Sequence, residues 1–294
     1  MSRLPLFAFL AACGGSVSVP DTDVGDTEVV DTEVAATPID WRQRGDAFVT
    51  QKTETWSVNG CDSAVDRYTP DAPVAADLTV VLTHGFSRSN DQMVELADLL
   101  ASHGFPVVAP NLCHASFTDT DHPQNGRDLA AIADKTGSAR IVYAGFSAGG
   151  LASVLAAAQD GQAVGVVGLD PVDADGLGAA AVAQLAGKPL WATFGTPGGC
   201  NSDGNGLDWA AKDHRLRVAE AEHCDFEGPT DGWCTGFCSE SNPNFSDNDI
   251  RGTVRGLTIA AIAAEADVAP IDPWWRPGGV FYDELLAAAA VSVL

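Results

Sequence analysis

One stretch of this chain constrains its fold more than any other. An apolar run, residues 139–144 (ARIVYA), leads into Gly145-Phe146-Ser147-Ala148-Gly149, and the alanine-rich residues 150–158 (GLASVLAAA) follow. A β-branched run, glycines around a serine and a helix-forming run read as strand, sharp turn and helix. Glycines remove Cβ atoms where strand and helix must pass very close, and the strained turn lifts the serine hydroxyl into the open. Ser147 is therefore a candidate nucleophile.

A serine hydroxyl attacks only when a base takes its proton, so a histidine and an acid are required elsewhere. The base must come from His84, His103, His114, His122, His214 and His223. Residues 216–221 read as the last strand of a sheet, and His223 follows its carboxyl end, where open α/β sheets place their sites. His103 suits a surface or helix-end role, His114 and His122 fall in a polar loop, and His214 reads as solvated. For the acid, Asp170 directly follows the apolar run 164–169 and precedes Pro171, with Asp173 and Asp175 close behind. After the next strand, 189–194, no acid occurs until Asp203.

With those residues in place, the chain resembles the α/β-hydrolase superfamily of serine esterases and lipases. The resemblance covers about residues 71–265 and is specific at four places. They are Leu78-Thr79-Val80-Val81-Leu82-Thr83-His84-Gly85-Phe86, the serine turn (a nucleophile elbow), Gly168-Leu169-Asp170-Pro171-Val172-Asp173, and Ala221-Glu222-His223-Cys224-Asp225. It implies a catalytic order of Ser147, then an acid, then His223. It also implies an oxyanion hole from the backbone N–H groups of Phe86 and Ala148, a structural role for His84, and no cofactor. The G-L-D-P pattern is similar to the acid-bearing segment of pancreatic-type lipases, and D-P-V to that of plant chlorophyllases. Asp170 is favoured on that ground, with Asp173 as the alternative and Asp203 behind both.

Apolar strands alternating with helical runs predict an α/β fold, a mostly parallel central sheet covered by helices on both faces, in one catalytic domain over residues 41–294. Helices are expected at 91–102, 124–135, 147–159 and 249–265, and leading antiparallel strands at 55–58 and 65–69. Residues 195–213 and 227–248, rich in Gly, Asn, Asp, Pro and Ser, read as loops at the pocket rim. Residues 273–277 (PWWRP) lead to a short apolar terminal helix.

The first twelve residues, with Arg3 before a short apolar run, fit an export signal. Leu10-Ala11-Ala12-Cys13 resembles the lipobox of bacterial lipoproteins, implying a lipidated Cys13, a membrane anchor and a place in the bacterial cell envelope, or else secretion. Residues 13–40 repeat Asp-Thr-Glu-Val or close variants and suit a solvated linker. The whole chain carries a formal charge of −24, and residues 41–294 hold 15 bases against 33 acids, or −18. Such a surface repels phosphate backbones, so nucleic acid is excluded as a partner and strongly anionic substrates are disfavoured.

Beyond Cys13, six cysteines remain: Cys61, Cys113, Cys200, Cys224, Cys234 and Cys238. In an exported chain they read as up to three disulfides of undetermined pairing, four of the six lying around His223. No Cys-x-x-Cys pair favours a metal. Residues 201–206 (NSDGNG) resemble half of a calcium loop but have Lys212 at the twelfth position, so no metal is assigned.

The resulting expectation is hydrolysis of a small-molecule or polymeric carboxylic ester through an acyl-enzyme. The similarity to chlorophyllase-like and polyester-hydrolase-like (cutinase-type) enzymes implies an apolar or bulky ester. Acyl transfer by the same residues, and an inactive hydrolase fold serving as a surface-binding protein, are the competing expectations. Sequence leaves the oligomeric state open.

Overall fold

Ten-residue strands open the main sheet where the sequence reading places only short ones. In the computed structural model, which describes residues 37–238 and 244–294, β1 (Val49–Val58) and β2 (Cys61–Pro70) form an antiparallel hairpin in register from Val49↔Pro70 to Val58↔Cys61. Much of β1 is Thr, Gln, Lys and Glu with exposed side chains, so apolar periodicity underreports it. The turn Asn59-Gly60, with φ of 48° and 88°, sets the hairpin. Two residues at positive φ give the backbone twist that suits paired antiparallel strands. The expected signal peptide, Cys13 and nearly all of the acidic linker lie outside the described residues.

The parallel part begins with β3 (Leu78–Thr83), followed by α1 (Val94–Ser102) and β4 (Val107–Pro110). A two-strand flap, β5 (Ala115–Ser116) and β6 (Asp119–Thr120), precedes α2 (His122–Thr136) and β7 (Arg140–Phe146). Next come α3 (Ala148–Gln159), β8 (Ala163–Leu169), α4 (Leu177–Val182), β9 (Leu190–Phe194) and β10 (Arg215–Val218). The chain closes with α5 (Gly232–Cys238), α6 (Asp247–Glu265), α7 (Asp272–Trp275), α8 (Val280–Ala287) and β11 (Val291–Val293).

The main sheet runs β1-β2-β4-β3-β7-β8-β9-β10-β11. The six strands from β4 to β10 are mutually parallel, and the outer pairings β1–β2, β2–β4 and β10–β11 are antiparallel. Both faces are covered, as the sequence predicts. On β7, Val142, Ala144 and Phe146 join one core cluster with Leu100, Ile259 and Trp274; Ile141 and Tyr143 join the other with Ile132, Leu151 and Val154. Alternate residues feed opposite cores, so a strand between two helix layers is apolar throughout. The strand order reverses between β3 and β7. The crevice at the carboxyl ends of those two strands is where a doubly covered parallel sheet accepts a ligand.

Several expectations are corrected. His122 is not in a loop; it begins α2, where Asp121 accepts the Gln124 N–H as N-cap. His214 is not freely solvated; its ring stacks on Trp191 with centroids 3.8 Å apart and planes 17° from parallel. The strand expected at 216–221 spans Arg215–Val218 and is not the sheet's last, because β11 pairs on its outer side. Residues 227–248 are not all loop, since they include α5. The short terminal helix is present as α8, before β11.

Candidate active site

The serine turn is built from close backbone contacts. A Cβ on Gly145 would collide with the Gly149 carbonyl, and one on Gly149 with the carbonyls of Thr83 and His84. Only glycine at both positions lets β7, α3 and the end of β3 approach this closely. Between them Ser147 adopts φ 55° and ψ −121°, a conformation that costs about 1–3 kcal/mol for a residue with a side chain. The end of β8, the loop after it and the first turn of α3 hold it there. The Ser147 N–H donates to the Leu169 carbonyl (3.0 Å), and its own carbonyl accepts from Gly150 (2.9 Å) and Val172 (3.3 Å). The Thr83 hydroxyl, at the end of β3, donates to the Gly149 carbonyl (3.0 Å).

Ser147, Asp170 and His223, separated widely in sequence, meet at the sheet's carboxyl end. Ser147 Oγ lies 2.9 Å from His223 Nε2, and His223 Nδ1 lies 2.7 Å from Asp170 Oδ2. All three are buried, Asp170 completely. The Phe146 ring packs against the imidazole with centroids 4.6 Å apart. Since Asp170 accepts at Nδ1, the proton sits on that nitrogen and Nε2 is left to accept from the serine hydroxyl.

The acid is held by groups that sequence reasoning missed. Asp170 sits at φ 42° after β8, its N–H bonded to the Thr193 carbonyl (2.8 Å). Its carboxylate accepts the Gly195 N–H (3.1 Å) and the Asn201 side-chain amide (3.1 Å to Oδ2). Asn201 is itself buried and fixed: it donates to the Thr196 carbonyl and accepts the N–H groups of Gly198 and Gly204. The segment read as half a calcium loop thus presents its first residue to the acid. Asp173 has another task. Its carboxylate accepts the N–H groups of Gly178 and Ala179 at the start of α4, and the indole N–H of Trp209. Asp203 is exposed.

His84 is a loop support. Its Nδ1–H donates to the Gly85 carbonyl (2.8 Å) and Nε2 accepts the Leu112 N–H (2.9 Å), so the neutral ring uses both nitrogens. Burial is the main reason its pKa falls from 6.5 to about 4. His103 caps the end of α1, its ring bonded to the Gln43 carbonyl and edge-on to Trp41. His114 pairs with Asp119 on the flap.

Phe86 follows the His84-Gly85 turn, and Ala148 is the first residue of α3. Among the described residues neither main-chain N–H has an acceptor, as is normal for the first amides of a helix and unusual for a loop amide inside a protein. The half-buried Phe86 ring meets Phe117 of the flap edge-on at 5.0 Å, and Phe117 is exposed.

Three disulfides join the six cysteines: Cys61–Cys113, Cys200–Cys238 and Cys224–Cys234. Cys224 directly follows His223 and Cys200 directly precedes Asn201, and both tie to α5. The sulfurs of Cys224, Cys234 and Cys238 lie within 4.8 Å of one another, but each is spent in a disulfide.

The profile of the alpha/beta hydrolase family matches residues 80–290, and the chain belongs to that family. The matched span contains the serine turn, the acid and the histidine, and membership supports hydrolase activity. A search among curated proteins returned no match.

Proposed function

We propose that this chain is a serine hydrolase that cleaves carboxylic esters through an acyl-enzyme. The observation that carries the reading is the unbroken path Ser147 Oγ, His223 Nε2, His223 Nδ1, Asp170 Oδ2, with steps of 2.9 and 2.7 Å around the imidazole. His223 takes the Ser147 proton as Oγ attacks the ester carbonyl. The tetrahedral oxyanion falls to the free N–H groups of Phe86 and Ala148, and donors fixed in advance are worth about 3–4 kcal/mol each in such sites. The proton on Nε2 then passes to the leaving alkoxide, leaving an acyl group on Ser147. Water repeats the sequence, giving up its proton to His223 and releasing the acid and free serine. Asp170 keeps the proton on Nδ1 and stabilises the imidazolium formed in each half-reaction.

The substrate side is read from chemistry at the rim. With −18 over residues 41–294, the domain favours neutral over anionic esters. The exposed Phe117 beside Phe86, and Trp233 and Phe237 exposed on α5, offer apolar contact. Together with the likeness to chlorophyllase-like and polyester-hydrolase-like enzymes, these residues support a bulky apolar ester. A lipidated Cys13 would hold the enzyme at a membrane surface on its acidic linker, and this remains part of the proposal.

Hydrolysis of a soluble neutral ester tests the reading. Ser147→Ala should lower kcat by at least about a thousandfold while the melting temperature stays close to that of the parent. Turnover within tenfold of the parent would refute the nucleophile.

A further inference from the structure

The loop bearing Phe86 and the turn bearing His223 lie 137 residues apart in sequence, and a buried ion pair joins them. Arg88, two residues after Phe86, sends Nε to Glu227 Oε2 (2.8 Å) and Nη2 to Glu227 Oε1 (2.6 Å). The Arg88 side chain is 7% exposed and that of Glu227 0%. Arg88 Nη1 also reaches Asp231 (3.1 Å), which accepts the Trp233 and Cys234 N–H groups at the start of α5. Glu227 accepts the Thr230 hydroxyl as well, so the carboxylate is held from both sides. Main-chain bonds run alongside: Gly228 N–H to the Gln92 carbonyl, and Glu95 N–H to the Gly228 carbonyl.

Stability does not account for such a pair. Burying two charges costs about as much as their attraction returns, and apolar replacements of similar volume are often neutral or better. A two-bond guanidinium–carboxylate fork does fix distance and angle, which a greasy contact does not. The parts it joins need that accuracy. A displacement of about 1 Å at a reacting centre can cost on the order of a hundredfold in rate. The peptide that carries the Phe86 N–H has the Gly85 carbonyl at its other end, which accepts from the His84 ring (2.8 Å) and from the Arg88 N–H (3.3 Å), so Arg88 holds that peptide by its main chain while its side chain grips Glu227.

We propose that Arg88 and Glu227 are a positioning pair: their fork sets the Phe86 N–H relative to His223 and so fixes the oxyanion geometry during acyl transfer. The inference rests on the esterase reading above. It places neither residue in contact with substrate.

The test compares the parent, Arg88→Met, Glu227→Leu, the double variant and Arg88→Lys. Each is assayed for melting temperature, kcat and KM on one soluble ester, and affinity for phenylboronic acid, which adds to the serine and presents a tetrahedral anion. Arg88→Met leaves the buried Glu227 carboxylate without its cation, and Glu227→Leu leaves Arg88 only the half-exposed Asp231, so both should melt earlier, Arg88→Met by more. The double variant should regain the parental melting temperature within a few degrees, yet keep a kcat roughly thirtyfold low with KM little changed. Its boronate affinity should fall by a similar factor. Arg88→Lys, which keeps the charge and loses the fork, should fold normally and lose roughly tenfold in kcat. Parental kcat and boronate affinity in the double variant, or in Arg88→Lys should the double variant not fold, would overturn the positioning role. A parent enzyme whose hydrolysis does not depend on Ser147 would overturn the esterase reading first, and this inference with it.

Discussion

The two sides of the His223 imidazole are built by different means. On the serine side, β3, β7 and α3 approach so closely that glycine is required at 145 and 149, and Ser147 is held by main-chain bonds from the end of β8, the loop after it and the first turn of α3. On the other side, residues 195–238 are mostly short 3-10 turns and loops around β10 and α5, and side chains and cross-links do the holding: Asn201 on Asp170, the Arg88 fork on Glu227, and the Cys200–Cys238 and Cys224–Cys234 disulfides meeting at α5. A backbone-built site depends on the whole sheet and fails when the sheet fails. A site half built by side chains can lose its geometry while the sheet persists.

The largest expected effect lies where the two sides meet. Asp170→Asn removes the carboxylate that fixes the imidazole tautomer and should lower kcat/KM by about ten-thousandfold, as in the well-studied serine proteases. Asp173→Asn, which weakens the hold on the start of α4 and on the Trp209 indole, should stay within roughly tenfold of the parent and cost about 1–2 kcal/mol of stability. The reverse ranking in a single-ester assay would move the acid to Asp173.

Reduction should separate the two sides by temperature. Opening a native disulfide typically costs about 2–4 kcal/mol, and here two of three lie on the loop side. After thiol counting confirms reduction, activity should fall at temperatures where far-ultraviolet circular dichroism still reports an intact sheet. Equal activity and equal melting temperature with and without reductant would erase the distinction.

A smaller effect comes from four histidines outside the serine–histidine pair. His84, His103, His122 and His214 all have pKa values pushed down, chiefly by burial, and His84 reaches about 4. At His84 the unfolded chain therefore binds more protons than the native one between about pH 4 and 6.5, and the other three act in the same direction. This contribution to stability is present in full above 6.5 and is lost as pH falls towards 4. For His84, the drop from 6.5 to about 4 corresponds to about 3 kcal/mol. His84→Gln can still donate to Gly85 and accept from Leu112, so it should lose about 2 kcal/mol less than the parent between pH 7 and 4.5. An equal loss of unfolding free energy between the two pH values in parent and variant, measured by denaturant titration, would contradict the assignment.

The same division explains what could be read in the sequence. The serine turn is legible because its structure is local: strand, glycine, serine, glycine and helix lie within twenty residues. Asp170 is legible because a strand end followed by proline leaves few ways to aim a side chain. Asn201 is not, because a single asparagine among Gly, Ser and Asp has no periodic signal and acquires its partner only when residues 195–201 fold back over β8. Disulfide pairing is hidden for the same reason, since the distances between cysteines are tertiary facts. The full length of β1 was masked by its polar edge, although Asn59-Gly60 marked the turn. His214 looked solvated because nothing local announces Trp191 beneath its ring. Arg88 and Glu227, 139 residues apart, had no sequence signal at all.

Covalent labelling with a fluorophosphonate probes Ser147 and its base together, because the reagent reacts only with a serine that it can reach and that a base activates. One equivalent is expected on the parent, mapped by peptide mass spectrometry to Ser147, with no label on Ser147→Ala and strongly slowed labelling of His223→Ala. Labelling of Ser147→Ala at the parental rate, or a label mapping to another residue, would contradict Ser147 as the nucleophile.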